Sequence, residues 1–317
     1  MKGKFLRLIS LAVVMGATAL MGGCGTQTQT SGDVEATTET VAVGEEKSSY
    51  NLDENKKAIL VVSFGTSYNE TREATIGAIE QKIAEAYPDC TMKRAFTSQT
   101  IIDKLKERDG EEINNVTQAV EELLNEGYGT VAVQPTHVMN GEEYEEMKAL
   151  IAPYENEFIN ISYGTPLLTS SEDYEKLVNA IAADIPQIAD KSTAVVLMGH
   201  GTEHYANSAY AALDYRFKAM GYENVFVGTV EAYPDFEKVK ADVAKTGVDK
   251  VVLAPLMIVA GDHATNDMAG DEEDSWKTQF KKEGYEVECL LKGLGEYTLV
   301  QDMFVEHCGE AINGNED

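Results

Sequence analysis

The chain has 317 residues, 43% of them hydrophobic and 25% charged, which is enough apolar side chain for one large domain or two of ordinary size. Its formal net charge is −28. A surface that acidic repels phosphate backbones and anionic membranes, which excludes binding to nucleic acid through a basic footprint.

The first residues, MKGKFLRLISLAVVMGATALMGGC, place Lys2, Lys4 and Arg7 before an apolar run from Leu8 to Leu20 and small residues before Cys24. That is the layout of a secretory signal over residues 1–23. Gly22, Gly23 and Cys24 resemble a bacterial lipoprotein processing site, with Cys24 the lipidated first residue of the mature chain, although Met21 stands where leucine is usual. An uncleaved membrane anchor is the other reading, but the run is shorter than the ~20 residues of a spanning helix. Both readings put the body outside the cytoplasm. Loss of residues 1–23 removes three basic groups and takes the net charge from −28 to −31. Residues 24–50 are polar and rich in threonine, without apolar periodicity, and are expected to form a lipidated, flexible tether.

From Lys57 the body alternates strand-like and helical runs. KAILVVSFGTS reads as a strand ending in a glycine turn, and NETREATIGAIEQKIAEAY follows with apolar residues at helical spacing after an Asn cap. TMKRAFTS reads as a second strand, SQTIIDKLKERDG and NNVTQAVEELLNEGY as helices, and GTVAVQPTHVMNG as a third strand. Apolar strands between amphipathic helices predict parallel sheets covered on both faces, an α/β fold.

The same plan recurs after Lys191. AVVLMGHGTE matches LVVSFGTSY, and PLMIVAGDH lines up with PTHVMNGEE, Pro255 over Pro135 and Gly261 over Gly141. An internal duplication is therefore expected: two similar lobes, each a parallel sheet flanked by helices, over residues 51–190 and 191–317. His200 stands where the first copy has Phe64, and His263 where it has Glu143. Cys90, Cys289 and Cys308 are odd in number and form no Cys-x-x-Cys motif, so no zinc or redox centre is indicated; buried thiols are expected, with one disulfide as the alternative.

Ligands of open α/β sheets bind beyond the carboxyl ends of the strands. His200, Glu231 and His263 each follow a predicted strand at that end, after AVVLMG, VFVGTV and VVLAPLMIVAG. Neighbouring strands bring two imidazoles and one carboxylate into one mouth, a set that suits a divalent first-row metal with open positions. Gly199 and Gly201 let the backbone and a flat ligand approach closely. Each residue also has an ordinary reading: a turn histidine at His200, a surface-loop group at His263 beside Asp262 and Asp267, a strand-end carboxylate at Glu231. His204 shares the face of His200 only if a helix starts there, and His137 and His307 read as core or surface histidines. There is no Gly-Lys-Ser/Thr phosphate loop and no Gly-x-Gly-x-x-Gly, so no nucleotide cofactor is expected. Ser63 is not in a Gly-x-Ser-x-Gly elbow.

The body resembles the class II, anaerobic sirohydrochlorin cobaltochelatases of cobalamin biosynthesis, relatives of ferrochelatase in fold. The resemblance runs from about Lys57 to about Ile312 through LVVSFGTSY, RAFTSQTIIDKL, NGEEYE, GTPLL, MGHG, VEAYP, PLMIVAGDHATNDMAGDEEDSWK and GLGE. It implies a two-lobed chelatase that holds a tetrapyrrole between its lobes and inserts Co2+ or Fe2+ without ATP. It also implies that His200, Glu231 and His263 hold the metal and that His200 is the catalytic proton acceptor. Contacts to the macrocycle are expected from Ser63, Phe64, Gly65, Phe96, Gly201 and Met257. The chemistry is coherent, because a neutral imidazole accepts a proton near neutral pH and an anionic carboxylate lowers the cost of holding a cation.

The export signal departs from a cytoplasmic biosynthetic role. A mature charge of −31 does not steer in a polycarboxylate substrate, so local bases such as Lys93 and Arg94 are expected to offset it. The second reading is an extracytoplasmic lipoprotein that captures haem, another tetrapyrrole or a metal ion for uptake. Capture alone needs no proton acceptor, which favours the enzyme. A homo-oligomer is compatible with both.

Overall fold

A computed structural model describes residues 49–314. The expected signal sequence, the expected lipidation at Cys24 and the expected tether before Ser49 fall on residues 1–48, outside the described residues. The first lobe runs β1 (Asp53–Ser63), α1 (Asn69–Arg72), a π-helical turn at Glu73–Gly77, α2 (Ala78–Ala86), β2 (Thr91–Phe96), α3 (Gln99–Asp109), α4 (Val116–Asn125), β3 (Tyr128–Pro135), α5 (Glu142–Ile151), β4 (Asn160–Tyr163) and α6 (Ser171–Asp184). The second runs β5 (Thr193–Gly199), α7 (Ser208–Ala219), β6 (Val225–Thr229), α8 (Phe236–Ala244), β7 (Lys250–Pro255), a π-helical turn at Ala264–Met268, α9 (Trp276–Lys282), β8 (Glu286–Cys289) and α10 (Thr298–Asn313).

Polar side chains set where helices start and a glycine shows where one stops. Ser98 accepts the N–H of Ile101 at the head of α3, and Gly110 ends that helix in the left-handed region at φ 67°. Asn115 and Gln118 form a capping box on α4, and Ser170 and Asp173 form another on α6.

All sheet pairs are parallel, in the order β2-β1-β3-β4 in one sheet and β6-β5-β7-β8 in the other. The identical order is what a duplicated plan requires. Each central strand divides its side chains by parity, as a period of two dictates. Ile59 and Val61 of β1 and Val195 and Leu197 of β5 enter one shared core. Their neighbours turn the other way, Leu60 and Val62 into a core with α4 and α5, Val196 and Met198 into a core with α8 and α9.

Helix α10 leaves its own sheet. It packs against α2, α6, β3 and β4 of the first lobe, with Val300, Phe304 and Cys308 in the shared core. Polar contacts fasten it there. Nε2 of His307 lies 3.1 Å from Oδ1 of Asp173 with both side chains buried, and Lys82 of α2 pairs with Asp302. Among the described residues Cys90, Cys289 and Cys308 are free thiols. Burial pushes the Cys308 thiol up to about 12, which leaves it protonated and unreactive. No helix among the described residues is long and apolar enough to cross a membrane.

Candidate metal centre

The tip of β5 has no room for ordinary side chains. A Cβ at Gly199 would lie 2.2 Å from Cε1 of Tyr210, whose ring fills the space beneath the strand end. Gly201 takes φ 89°, and a Cβ there would stand 2.8 Å from the backbone nitrogen of Ala232. His200, between them, keeps a half-exposed imidazole. The segment after β6 is tied to the same tip, because the N–H groups of Val230 and Glu231 donate to the His200 carbonyl at 3.1 and 2.9 Å. Glu231 is thereby held beside His200. His263 arrives from the segment after β7, immediately before the π-helical turn.

The three side chains converge. The rings of His200 and His263 have centroids 4.7 Å apart at an interplanar angle of 84°. Nδ1 of His200 is 3.9 Å from Oε2 of Glu231, and one ligand atom from each of the three residues lies within 4.8 Å of the others. A first-row metal with bonds of ~2.0–2.2 Å draws its N and O ligands to about 3.5 Å apart. Rotation of these partly exposed side chains closes that gap.

Fixed acceptors orient both rings. Nδ1 of His263 lies 2.6 Å from Oδ2 of Asp267, one turn along the chain, so Nδ1–H donates to the carboxylate and Nε2 keeps its lone pair outward. Nδ1 of His200 lies 2.8 Å from the Gly201 carbonyl, which frees its Nε2 in the same way.

Two more groups stand beside this set. Tyr210 is buried, and the Gly201 N–H donates to its hydroxyl at 3.4 Å. Burial pushes its pKa up to about 12, against the lowering effect of that backbone donor, while the nearby Glu143 charge adds to the rise. The hydroxyl therefore stays protonated. Glu143, at the head of α5 in the first lobe, lies near enough to His200 for their charges to interact. It keeps an exposed edge, yet the protein mass around its carboxyl raises its pKa, and His200 partly offsets the rise. Residue-by-residue reading treats Glu143 only as the counterpart of His263; that alignment is the signal that marks it.

The first-lobe positions expected to touch a macrocycle divide into two groups. Phe64 is 49% exposed at the tip of β1, and Gly65 follows at φ 97°. Ser63 and Phe96 are corrections. Ser63 is buried and accepts the Thr136 hydroxyl at 2.8 Å. Phe96 is wholly buried under Gly65, where a Cβ would come 2.6 Å from its ring. Neither presents a surface to a ligand; Phe96 is instead the reason residue 65 has no side chain. In the second lobe Gly201 is buried at its turn, and Met257 is partly buried against the core formed with α8 and α9.

The remaining histidines lie outside the convergent set. His204 has Nε2 3.4 Å from Glu145. His307 is the buried partner of Asp173. His137 is buried with neither ring nitrogen bonded, and burial lowers its pKa to about 4. Nor are Lys93 and Arg94 free to meet an anion. Lys93 sits between Glu122 and Glu126, and Arg94 donates from Nε at 2.8 Å to Glu80. Basic side chains in a chain this acidic find carboxylates of their own.

Residues 57–313 match the family model described as cobalt chelatase (CbiK). The sirohydrochlorin cobaltochelatase of Salmonella typhimurium (strain LT2) is 44% identical over 258 residues, covering 81% of this chain and 97% of that protein. The sirohydrochlorin cobaltochelatase CbiKC of Nitratidesulfovibrio vulgaris is 32% identical over 273 residues, covering 86% of this chain and 96% of that protein. Among solved structures, SirB from Bacillus subtilis with Fe3+ superposes with a TM-score of 0.59 at 17% identity, over 83% of this chain and 99% of that one. The sirohydrochlorin chelatase SirB from Bacillus subtilis subspecies spizizenii in complex with cobalt gives 0.56 at 17% identity, over 82% and 97%. At that identity these two structures speak to the fold, and the fold agrees.

Proposed function

The chain belongs to the cobalt chelatase (CbiK) family, and we propose on that premise that it inserts Co2+ into sirohydrochlorin without a nucleotide. The observation that carries the reading is the convergence of His200, Glu231 and His263 on a single point.

The charge balance explains how such a set gives its ion away. Two neutral imidazoles and one carboxylate carry −1, so a bound dication keeps a net +1. A tetrapyrrole that has lost both pyrrole protons presents −2 and four nitrogens, which draws the ion onward. Two protons must therefore leave as one metal enters. His200 accepts one as the ion passes to the macrocycle and leaves its Nε2 lone pair free. Glu143 is placed to take the other, because its raised pKa makes its carboxylate a better base than an ordinary glutamate. Phe64 offers the macrocycle an exposed apolar face from the first lobe. Fe2+ is a second metal substrate that the same donor set fits.

The proposal includes an extracytoplasmic, lipid-anchored location through Cys24. Its support is the basic, apolar and small-residue order of residues 1–24. Recovery of the protein in the membrane fraction with a diacylglyceryl mass on Cys24 is the expected result, and an unmodified Met1 terminus refutes it. For the reaction, purified residues 25–317 mixed with sirohydrochlorin and Co2+ are expected to shift the visible spectrum faster than the metal and macrocycle alone. His263→Ala is expected to lose most of that acceleration. A parent protein that leaves the spontaneous rate unchanged overturns the reading.

A further inference from the structure

Tyr68 and His204 hold equivalent places in the two repeats. Each lies three residues past a glycine of positive φ, Gly65 at 97° and Gly201 at 89°. Each also lies two residues past a threonine whose Oγ1 accepts its backbone N–H, at 3.2 Å from Thr66 and 3.1 Å from Thr202. The duplication thus extends to the local turn.

Both side chains reach into the opposite lobe. The Tyr68 hydroxyl donates to Oδ1 of Asp262 at 3.2 Å, and Asp262 adjoins His263. Nε2 of His204 is 3.4 Å from Oε1 of Glu145, and the hydroxyl of Tyr205, whose ring lies against His204 at a tilt of 39°, donates to the same oxygen at 3.1 Å. Glu145 lies two residues beyond Glu143. Nδ1 of His204 accepts the Ala206 N–H, which turns Nε2 toward Glu145. The loops meet the other lobe at van der Waals distance: a Cβ at Gly261 would lie 3.8 Å from Thr66 Oγ1, and one at Gly141 3.9 Å from Cβ of Ala206.

We propose that Tyr68 with Asp262, and His204 and Tyr205 with Glu145, are paired latches that set the offset of the lobes and so position His263 and Glu143 against His200. The inference rests on the chelatase reading for its kinetic consequence but not for its physical content. The segments a latch holds are those that carry one metal ligand and one proton acceptor, on opposite sides of the gap. Lobes that shift as rigid bodies must release both latches at once, and effects on one opening then multiply.

Hydrogen exchange on the full mature chain tests this without turnover. In Tyr68→Phe, faster exchange is expected at residues 64–70 and 261–266 and also at residues 141–146 and 202–207, on the far latch. A change confined to the first two segments overturns the proposal. Kinetics supply the second readout. Tyr68→Phe and Glu145→Ala are each expected to lower kcat about threefold and the double variant about tenfold, with KM for the tetrapyrrole within about twofold of the parent. Glu145→Gln, which keeps an acceptor oxygen, is expected to restore most of the rate. A double variant with parental kcat, or a glutamine no better than alanine, refutes the positioning role. If the parent protein shows no insertion, the function fails while the exchange result still decides the latches.

Discussion

The two lobes share strand order, glycine turn and threonine turn, yet among the described residues only the second brings together three side chains that could hold a metal ion. At the tip of the central strand the first lobe carries Phe64 and the second His200. After the third strand the first carries Glu143 and the second His263. The scaffold thus fixes two equivalent positions in each lobe, and side-chain chemistry assigns them: an apolar ring and a carboxylate in the first, two imidazoles in the second. Supporting contacts follow the same division. His263 is oriented by Asp267, whose first-lobe counterpart is Met147, a fully buried core residue.

The largest expected effect comes from exchanging the tips. His200→Ala removes the proposed metal ligand and proton acceptor together, and kcat/KM for cobalt insertion is expected to fall by about 10²-fold or more. Phe64→Ala, at the matching position, removes one apolar contact and is expected to cost less than about tenfold, chiefly in KM. Equal losses in the absorption assay would erase the division of labour between lobes.

A smaller effect separates Asp267 from Met147. Asp267→Asn leaves the fold intact and is expected to weaken Co2+ binding by about 10- to 100-fold, the usual cost of losing a ligand's orienting partner. Met147→Ala is expected to lower the melting temperature through its cavity and leave metal affinity near that of the parent. Titration of both variants by calorimetry sharpens the contrast, and a loss of Co2+ affinity in Met147→Ala that matches Asp267→Asn breaks it.

The smallest effect concerns His137, whose second-lobe counterpart is Met257. Burial depresses its pKa to about 4, below the unfolded value of ~6.5. Between those pH values the unfolded chain binds a proton that the folded chain does not, so stability rises with pH and is lost on acidification. Lowering the pH from 6.5 to 5.5 is expected to cost about 1 kcal/mol from this group. His137→Met, which makes the two lobes alike here, is expected to remove that share of the slope in urea melts. An unchanged slope would mean that His137 titrates normally.

The sheets and the convergence of His200, Glu231 and His263 are legible in the sequence because both depend on local order. Apolar runs of strand length and glycines at strand ends mark the tips, and parallel α/β topology places tips together whatever the details between them. Ser63 and Phe96 are misread for the opposite reason. They lie in the right stretches, but which face of a turn meets solvent depends on Thr136 and Gly65, contacts that no periodicity reports. Lys93 and Arg94 are misread because an ion pair is a property of two distant elements. Glu143 is visible only once the repeats are aligned.

Helix α10 has a consequence for how the protein is made. The ribosome delivers β1, α2 and α6 long before Thr298 emerges. Until it does, Ile79, Ile83, Leu177 and Ile181, which share a core with α10, lack part of their cover. The nascent first lobe is therefore obliged to wait for the last segment of its own chain, and a ribosome stalled between lobes would display an apolar surface for chaperones to bind.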